Sequence, residues 1–472
     1  MISTNSDITK VPGQRFHFLT KEAWEKEKQN FPQYIQEVFS AKEEEVFIYP
    51  SNQELTFFIG LGKQQSLHEK IFSITQKFSF KYSEKFREVP TMVLTPGLDN
   101  NTVEEILFAL FLGSYQYPFK KNSTVWNKSF TLIVTEFPSS KVVELTNQIE
   151  SLCTGQFLAM DWLNKPANEK SVDAVLDVIT NLAQKHNWNI KTLRKEECAK
   201  DGLGAFLAVS KASTQDPAFT IIEYQSKSPE AKTIGLVGKC VLFDTGGISL
   251  KNPENMHYMK SDMGGATAVL GALVSASLME LPVNIVAILP ITDNLISSTA
   301  YLPSDVVKAY NGKTIEILNT DAEGRLTLAD ALSYLTQNYK TDYLLDLATL
   351  TGSAVRMFGD RCGALFSNDP QFQEELISVG KKTMERLWPL PLWEEWGEEI
   401  KSDVADLKNI SLKPIGDCIV AANFLSNFIN EHPRWAHLDI AGVAFGSTSY
   451  AKEKAATGYG VRLLVKFMQN CC

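Results

Sequence analysis

Short, uninterrupted apolar runs alternate with helix-forming runs through the chain after residue 168. The strand-like runs, in chain order, are KTIGLVGKCVLFD, VNIVAILPI, KTIEILN and TDYLLDLATL. Strands that are apolar on both faces and separated by helices are typical of a largely parallel sheet covered by helices. We therefore predict an α/β fold with a mixed, largely parallel sheet in this part of the chain. Ligand sites in such sheets lie beyond the carboxyl ends of the strands, which tells us where to look for functional residues.

The first 150 residues have a different character. They are rich in Phe, Lys and Glu, and strand-like runs such as EEVFIYP and LTFFIGLG alternate with helix-like runs. This pattern predicts a smaller N-terminal α/β domain, without a recognisable cluster of active-site residues. An amphipathic stretch from Glu144 to Trp162 ends in the turn-rich segment NKPAN, and we expect a connecting helix there. The expected parts are residues 1–145, a helix and linker at 146–168, and a C-terminal domain at 169–472.

Net charge and cysteine usage narrow the class of protein. The formal net charge is −9, which disfavours nucleic acid or an anionic membrane surface as the main partner. No stretch approaches the ~20 apolar residues that a membrane span needs, and the N-terminus lacks the apolar core of a signal peptide. The seven cysteines form no CxxC pair, which favours a reducing compartment over a disulfide framework. We expect a cytoplasmic protein.

Charged residues lie at three of the predicted strand ends, in the stretches GKCVLFDTGGISLK, MHYMKSDMGGA and NTDAEGRLTLADAL. Because the carboxyl ends of parallel strands meet at one edge of a sheet, we expect these side chains to lie close together. They are Lys239, Asp244, Lys251, Asp262, Asp321, Glu323 and Arg325.

Each of these residues has an ordinary structural explanation when it is taken alone. Asp262 could be a helix N-cap, and Asp321 and Glu323 could stabilise the start of the following helix through its dipole. Lys239 could extend its amine from a strand edge into solvent, and Asp244 could be a turn residue before Thr-Gly-Gly.

The combination instead favours a metal site. Four carboxylates at one sheet end would repel one another, raise their own pKa values and reduce stability unless positive charge is supplied. Two divalent cations would balance the four negative charges, and oxygen-rich ligation suits Mg²⁺, Mn²⁺ or Zn²⁺. Only His257 among the six histidines is adjacent to these acids, which argues against a structural Cys/His zinc site. Two ions could activate a water, Arg325 could hold an anion, and Lys251 could offer positive charge to a developing oxyanion.

The same stretches resemble the leucyl aminopeptidases of the cytosol aminopeptidase family, which are dinuclear metallopeptidases. The resemblance includes all of NTDAEGRLTLADAL and extends over roughly residues 160–466. The first 150 residues resemble the family only in length and α/β character. The other segments that carry the resemblance are VGKCVLFDTGGISLK, MKSDMGGATAVLGA, DLATLTGS, WAHLDIAGVAF, ATGYGVRLLVKF and GLGAFLAVSKAS.

This resemblance implies a metal-dependent leucyl aminopeptidase, in which a hydroxide activated by two metal ions attacks the peptide carbonyl. Asp244 and Glu323 would bridge the ions, Lys239 and Asp262 would complete one ion site, and Asp321 would complete the more exchangeable one. The ions would be Mn²⁺ or Zn²⁺, with Mg²⁺ or Co²⁺ as alternatives. The Lys239 amine, which ordinarily titrates near ~10.4, would have to be neutral to bind a metal.

Proton transfer and substrate contacts are also implied by the resemblance. Arg325 would hold a bicarbonate that carries the proton, and Lys251 would stabilise the gem-diolate. The free α-amine of the substrate would bind the ion held by Lys239, which makes the enzyme an exopeptidase with leucine among its preferred residues. Core packing remains the alternative role for those expected substrate contacts that would line the first side-chain pocket. The expected substrate contacts are Met259, Asn319, Thr349, Leu350, Gly352, Ala441 and Ala444.

The sequence departs from the family pattern at a few places. Cys240 replaces a glycine usual after the metal-binding lysine, and structural filling is the simplest role for its thiol. His257 and Tyr258 replace a common acidic pair, and Ser261 stands where an aromatic residue is usual. None of these changes alters an expected ligand or catalytic group.

Three other functions compete with the peptidase prediction. A DNA-binding accessory protein could use the same fold, but the acidic composition argues against it. An inactive scaffold is disfavoured by the complete set of seven charged positions. A dinuclear phosphoesterase remains open, because two-metal sites also serve phosphoryl transfer. Members of the family are hexamers with active sites facing an interior cavity, so the resemblance implies a homohexamer acting on short peptides.

Overall fold

The computed structural model describes residues 13–50, 55–64, 70–86, 89–117, 132–134, 137–413 and 415–472. The chain divides into two compact units, residues 1–153 and 154–472. One continuous helix, Ser139–Asn164, covers the segment in which the connecting helix was expected. The boundaries at residues 145 and 168 stay predictions.

The first unit contains a five-stranded, largely parallel sheet. Its strands follow the order β2-β3-β1-β4-β5, and only β2 runs antiparallel to its neighbour. The phenylalanines noted in the sequence pack against one another, as in the edge-to-face contacts of Phe16 with Phe57 and Phe78. The elements are β1 Gln14–Thr20, α1 Lys21–Glu27, α2 Gln33–Val38, β2 Val46–Pro50, β3 Leu55–Gly62, α3 Ile71–Tyr82, β4 Thr91–Leu94, α4 Asn100–Leu112 and β5 Leu132–Val134. The next helix, α5 Ser139–Asn164, begins in this unit and ends in the second.

The second unit continues the alternation of helices and strands that the sequence predicts. Its helices are α6 Val172–His186, α7 Lys195–Asp201, α8 Gly204–Ser210, α9 Gly264–Leu278, α10 Gly324–Asn338, α11 Gly352–Phe358, α12 Pro370–Lys382, α13 Glu394–Glu398, α14 Asp417–Ser426 and α15 Val461–Asn470. Its strands are β6 Asn189–Leu193, β7 Ala218–Tyr224, β8 Thr233–Gly238, β9 Cys240–Asp244, β10 Asn284–Asn294, β11 Val306–Lys308, β12 Thr314–Glu316, β13 Tyr343–Ala348, β14 Gly363–Ser367, β15 Leu387–Pro389, β16 Leu407–Lys408, β17 Trp435–Asp439, β18 Phe445–Gly446 and β19 Ala455–Ala456.

A nine-stranded sheet forms the centre of the second unit. The strand order is β15-β14-β17-β13-β8-β10-β7-β6, with β9 paired to the end of β10. The central strands β17, β13, β8 and β10 are mutually parallel. Three pairs of neighbouring strands are antiparallel, namely β10 with β7, β7 with β6, and β14 with β17. The predicted mixed, largely parallel sheet in an α/β fold is therefore confirmed.

The central strands direct their carboxyl ends to one edge of this sheet. β10 is buried along nearly its whole length, which explains its continuous apolar sequence. The small-residue helix α9 is buried on all sides through Ala276 and packs against β8 and β13. Among the described residues, no helix combines the length and apolar character needed to cross a bilayer.

Candidate active site

Two of the predicted charged residues lie at strand ends of the main sheet, and the others lie in longer connections that reach the same place. Lys239 lies between β8 and β9, and Asp244 is the last residue of β9. Asp262 lies between a short 3-10 helix, Met256–Ser261, and α9. Glu323 directly precedes α10. Because β8, β9 and β10 are parallel neighbours, Lys239 and Asp244 lie at one edge of the main sheet.

The expected strand KTIEILN was wrongly assigned to this sheet, because its strand β12 pairs with β11 and β16 in a separate three-stranded sheet. The connection after β12 nevertheless brings Asp321 and Glu323 to the two lysines.

Lys239, Asp262 and Glu323 form the inner half of the site. The Nζ atom of Lys239 lies 2.7 Å from Asp262 Oδ2 and 2.9 Å from Glu323 Oε1, and it donates a hydrogen bond of 3.1 Å to the carbonyl of Thr349. The Lys239 side chain is only 3% exposed and that of Glu323 only 2%. The inner half is therefore a buried ion-pair cluster in which three acceptors hold the amine of Lys239.

Lys251 and Asp321 form the outer half. The Nζ atom of Lys251 lies 2.7 Å from Asp244 Oδ2 and also forms an ion pair with Asp321 Oδ1. The side chains of Lys251 and Asp321 are 22% and 30% exposed, so solvent reaches this half. Asp244 lies between the halves, and its carboxylate meets those of Asp262 and Glu323 with oxygens within 4.8 Å of one another.

The charges of this cluster suit bound cations. Four carboxylates face the two amines of Lys239 and Lys251, which leaves two negative charges unbalanced when all groups are ionised. Burial, together with the neighbouring Glu323, raises the pKa of Asp244 to about 7, and burial raises the pKa of Asp262 well above its usual range. Buried carboxylates with raised pKa values gain stability when cations are supplied, so the oxygen-rich donor set fits divalent metals.

The helix-cap explanation of Asp262 does not match the structure, whereas Glu323 does lie at the start of its helix. The N-cap of α9 is Met263, and no side chain caps that helix. Asp262 instead accepts hydrogen bonds from Lys239 and, at 2.8 Å, from Thr349 Oγ1. Glu323 is the N-cap of α10 but makes no capping hydrogen bond.

The glycine of the signature stretch has a packing reason. A Cβ atom at Gly324 would lie 2.4 Å from Cε and 2.7 Å from Nζ of Lys239. An added Cβ would therefore force the Lys239 side chain to shift, so Gly324 leaves room for the lysine to reach the carboxylates.

Asn294 is a supporting residue that the sequence did not single out. Asp244 Oδ1 accepts hydrogen bonds of 2.8 Å from Asn294 Nδ2 and from the backbone amide of Gly246. Asn294 also donates to the carbonyl of Thr320, next to Asp321. Since Asn294 is the last residue of β10, applying the strand-end rule to every strand of the sheet would have found it.

Arg325 is buried but does not bond to the metal-site acids. Among the described residues its Nη1 donates to the carbonyl of Asn409 at 2.7 Å, and its Nη2 donates to Asp417 Oδ1 at 3.0 Å. Its Nε is buried and has no hydrogen-bond partner in the described part of the chain. The free Nε–H fits an anion such as bicarbonate, although the neighbouring Nη2 is already bonded to Asp417.

Two of the expected pocket residues, Thr349 and Ala444, both lie beside Gly264. A Cβ atom there would lie 2.9 Å from Thr349 Cγ2 and 3.0 Å from Ala444 Cβ. The structure therefore brings together residues almost 100 positions apart, beside the carboxylate of Asp262.

Asp439 joins two loops that contain expected substrate contacts. Its Oδ1 accepts hydrogen bonds of 3.2 Å from the amides of Leu350 and Ala441, and its Oδ2 accepts one of 2.6 Å from Thr351 Oγ1. Burial raises the pKa of this carboxyl. Asp439 ends β17 in the stretch WAHLDIAGVAF, so its position at a strand end was a usable signal that sequence reasoning missed.

The remaining expected contacts lie around the same edge. Met259 is half-buried in the 3-10 helix that leads to Asp262, whose amide donates to the Met259 carbonyl at 3.3 Å. Asn319 Oδ1 accepts a hydrogen bond of 2.8 Å from the amide of Asp321. Gly352 is the exposed first residue of α11.

Comparisons with known proteins agree with this geometry. The profile of the "Cytosol aminopeptidase family, catalytic domain" matches residues 157–465. The chain is 43% identical over 315 residues to a "Probable cytosol aminopeptidase" of Chlorobium limicola, a match that covers 67% of this chain and 62% of that protein. It is 36% identical over 425 residues to a "Probable cytosol aminopeptidase" of Geobacter sp. strain M21, covering 88% of this chain and 86% of that protein.

A solved structure is similar over nearly the whole chain. It is described as "Bottromycin maturation enzyme BotP in complex with Mn", and it superimposes with a TM-score of 0.85 at 28% sequence identity. The similarity covers 97% of this chain and 99% of BotP. It therefore includes the N-terminal unit, where the sequence alone showed little resemblance.

Proposed function

Because the chain belongs to the cytosol aminopeptidase family, we propose that it is a metal-dependent leucyl aminopeptidase. It would remove N-terminal residues, with leucine among the preferred, from peptides. The observation that carries the proposal is the buried meeting of Asp244, Asp262 and Glu323 beside the amine of Lys251.

Five side chains would hold two divalent ions: Lys239, Asp244, Asp262, Asp321 and Glu323. When bound, such ions polarise a carbonyl and lower the pKa of water, which provides a nucleophile near neutral pH. Mn²⁺ or Zn²⁺ are the first candidates, and the relative BotP in complex with Mn supports the former. Mg²⁺ or Co²⁺ would suit the same oxygen donors. Lys239 would act as a ligand only as the neutral amine, because an ammonium has no lone pair.

Lys251 and Arg325 would have different catalytic roles. Lys251 is partly solvent-accessible in the outer half and would donate hydrogen bonds to the substrate oxygen as negative charge develops on it. Arg325 would hold a bicarbonate through its free Nε–H, and this anion would carry the proton.

Substrate selection would depend on the two loops joined by Asp439. Met259, Thr349, Gly352, Ala441 and Ala444 would line the pocket for the first side chain. Asn319, Leu350 and Gly352 would offer polar or backbone contacts to the peptide.

We extend the proposal to assembly and location. The chain would form a homohexamer in the cytoplasm and act on peptides, without a nucleic-acid role. The relatives named cytosol aminopeptidase and the seven free cysteines support this location. Light scattering coupled to size-exclusion chromatography would test the hexamer.

The activity is tested with aminoacyl anilides and, beside them, an aryl phosphate ester. The full chain is stripped with a chelator and reconstituted with Mn²⁺, Zn²⁺, Mg²⁺ or Co²⁺. We expect anilide hydrolysis with metal only, fastest with leucine or a similar residue. Asp321→Ala and Lys251→Ala should lose nearly all activity, whereas Lys401→Ala, which removes an exposed ion pair with Glu398, should not.

Three results would contradict the proposal. Full activity of the stripped protein would exclude metal catalysis, and turnover of the phosphate ester alone would favour the phosphoesterase. Wild-type rates in both Asp321→Ala and Lys251→Ala would show that the residues are assigned wrongly.

A further inference from the structure

The guanidinium of Arg325 is already held by the chain itself. The Asn409 carbonyl accepts from Nη1, and the carboxylate of Asp417 accepts from Nη2. Nε and Nη2 form one edge of a guanidinium, the edge through which arginine binds a planar anion with two parallel hydrogen bonds. Nη2 carries two N–H groups, and its ion pair with Asp417 places a carboxylate beside the guanidinium that carries the unpartnered Nε–H.

Asp417 differs from Arg325 in its surroundings. The Arg325 side chain is buried, whereas that of Asp417 is 45% exposed, at the first position of α14. A negative charge in the first turn of a helix is favourable in itself, so the pair has an ordinary structural explanation. That explanation does not account for the buried Nε–H that remains without a partner beside it.

We propose that Asp417 is an internal competitor for the anion site at Arg325. An aspartate carboxylate and a bicarbonate present the same planar O–C–O group with the same single negative charge. Asp417 neutralises the guanidinium and accepts from Nη2, so a second anion at the Nε–H meets like-charge repulsion. A small monoanion then binds only when Asp417 turns out towards solvent, which its exposure permits.

The competition has a consequence for the proposed function, on which the catalytic part of this inference rests. With Asp417 in place, bicarbonate binds weakly and hydrolysis depends little on its concentration. Removing the charge of Asp417 removes this repulsion, so the anion binds more tightly and activates more strongly.

Calorimetry measures the anion directly. Sodium bicarbonate, or formate as a second planar monoanion, is titrated into the metal-loaded full chain at constant ionic strength. Asp417→Asn and Asp417→Ala should both bind the anion about tenfold more tightly than the wild type. Replacing Arg325 by Gln in the Asp417→Asn background should abolish the gain.

Asp173→Asn is the matched control. Asp173 is also an acid in the first turn of a helix, α6, and it also pairs with Nη2 of an arginine, Arg194, at 3.1 Å. This variant should bind the anion as the wild type does. Thermal denaturation verifies that all variants are folded. Two substitutions of Asp417 are used so that the test still stands if one of these variants does not fold.

The inference is overturned if Asp417→Asn and Asp417→Ala bind bicarbonate no more tightly than the wild type and Asp173→Asn. It is also overturned if the tighter binding persists without the Arg325 guanidinium. Because calorimetry needs no turnover, tighter binding without any anilide hydrolysis would reject the proposed peptidase and leave the competition intact.

Discussion

The inner and outer halves of the acidic site use the same chemistry in different surroundings. Each has a lysine amine between carboxylates at short distances. The inner amine, that of Lys239, is buried and is confined by three acceptors and by the backbone at Gly324. The outer amine, that of Lys251, is reached by solvent. Two ion-pair clusters of the same composition can therefore differ in how firmly they hold their side chains. The solvent-accessible outer half is the better candidate for binding a metal ion that exchanges with solution.

Among the variants that compare the two halves, the largest effect is expected from filling the space beside Lys239. Gly324→Ala would place a methyl group against Lys239 and displace its amine from Asp262 and Glu323. Overpacking of this kind costs about 1–3 kcal/mol of stability. A displaced catalytic geometry can reduce the rate about a hundredfold. Thermal denaturation and kcat/KM for a leucine anilide measure the two effects.

Gly397→Ala is the control for Gly324→Ala. Its added Cβ would meet only Asn423 Oδ1, at 3.9 Å. It should keep wild-type stability and activity or gain slightly in stability, because alanine favours helix. If Gly324→Ala behaves like this control, the inner half is not confined as described.

A smaller effect is expected on the number of metal ions that each chain retains, and it should differ between variants of the outer and inner halves. Asp321→Asn removes a carboxylate of the outer half, and Asp262→Asn removes one of the inner half. After dialysis, elemental analysis should find about one ion fewer per chain in Asp321→Asn, since charged ligands contribute directly to binding. Asp262→Asn should lose the more tightly held ion as well.

Asp342→Asn serves as the control in this comparison, because Asp342 is an exposed acid paired with Lys232 away from the site. It should retain the wild-type content. Equal loss in Asp321→Asn and Asp262→Asn would remove the distinction between an exchangeable and a fixed ion.

The smallest effect concerns a buried carboxyl outside the site. Burial raises the pKa of Glu385 from its ordinary value to about 7, although the amides of Leu463 and Gly460 donate to its Oε2. The folded state therefore binds this proton more tightly than the unfolded state. Stability from this group is complete below about pH 4.5 and is lost as pH rises towards 7.

Glu385→Gln tests this contribution, because an amide oxygen can accept both hydrogen bonds without a charge. The variant should match the wild type at pH 5 and be more stable at pH 8, by between about 1 and 3 kcal/mol. Melting temperatures over this pH range, with the exposed Glu398→Gln as control, measure the difference. A pH-independent difference would show that burial of charge is not the cause.

Much of the fold could be predicted from local sequence. Continuous apolar strands and intervening helices indicate a parallel, covered sheet, because both faces of each strand must leave water. The same patterns place Asp244 at a strand end and Asp262 before a buried helix. A local sequence pattern could not decide whether these carboxylates cap helices or form one cluster with each other.

The other contacts depend on chain segments that are distant in sequence. Asn294 supports Asp244 from another strand, Asp439 joins loops 89 residues apart in sequence, and Arg325 meets Asp417 across 92 residues. Such contacts follow from strand order and register, which no single stretch of sequence contains.

The sequence by itself determined the element types, the positions of Lys239 and Asp244 at strand ends and the family resemblance. Only the tertiary structure decided which acid meets which amine, that a methyl group added at residue 324 would displace Lys239, and that Arg325 is already paired. The physical reason is that secondary structure reflects local hydrophobic periodicity, whereas ion pairs and close packing depend on three-dimensional neighbours.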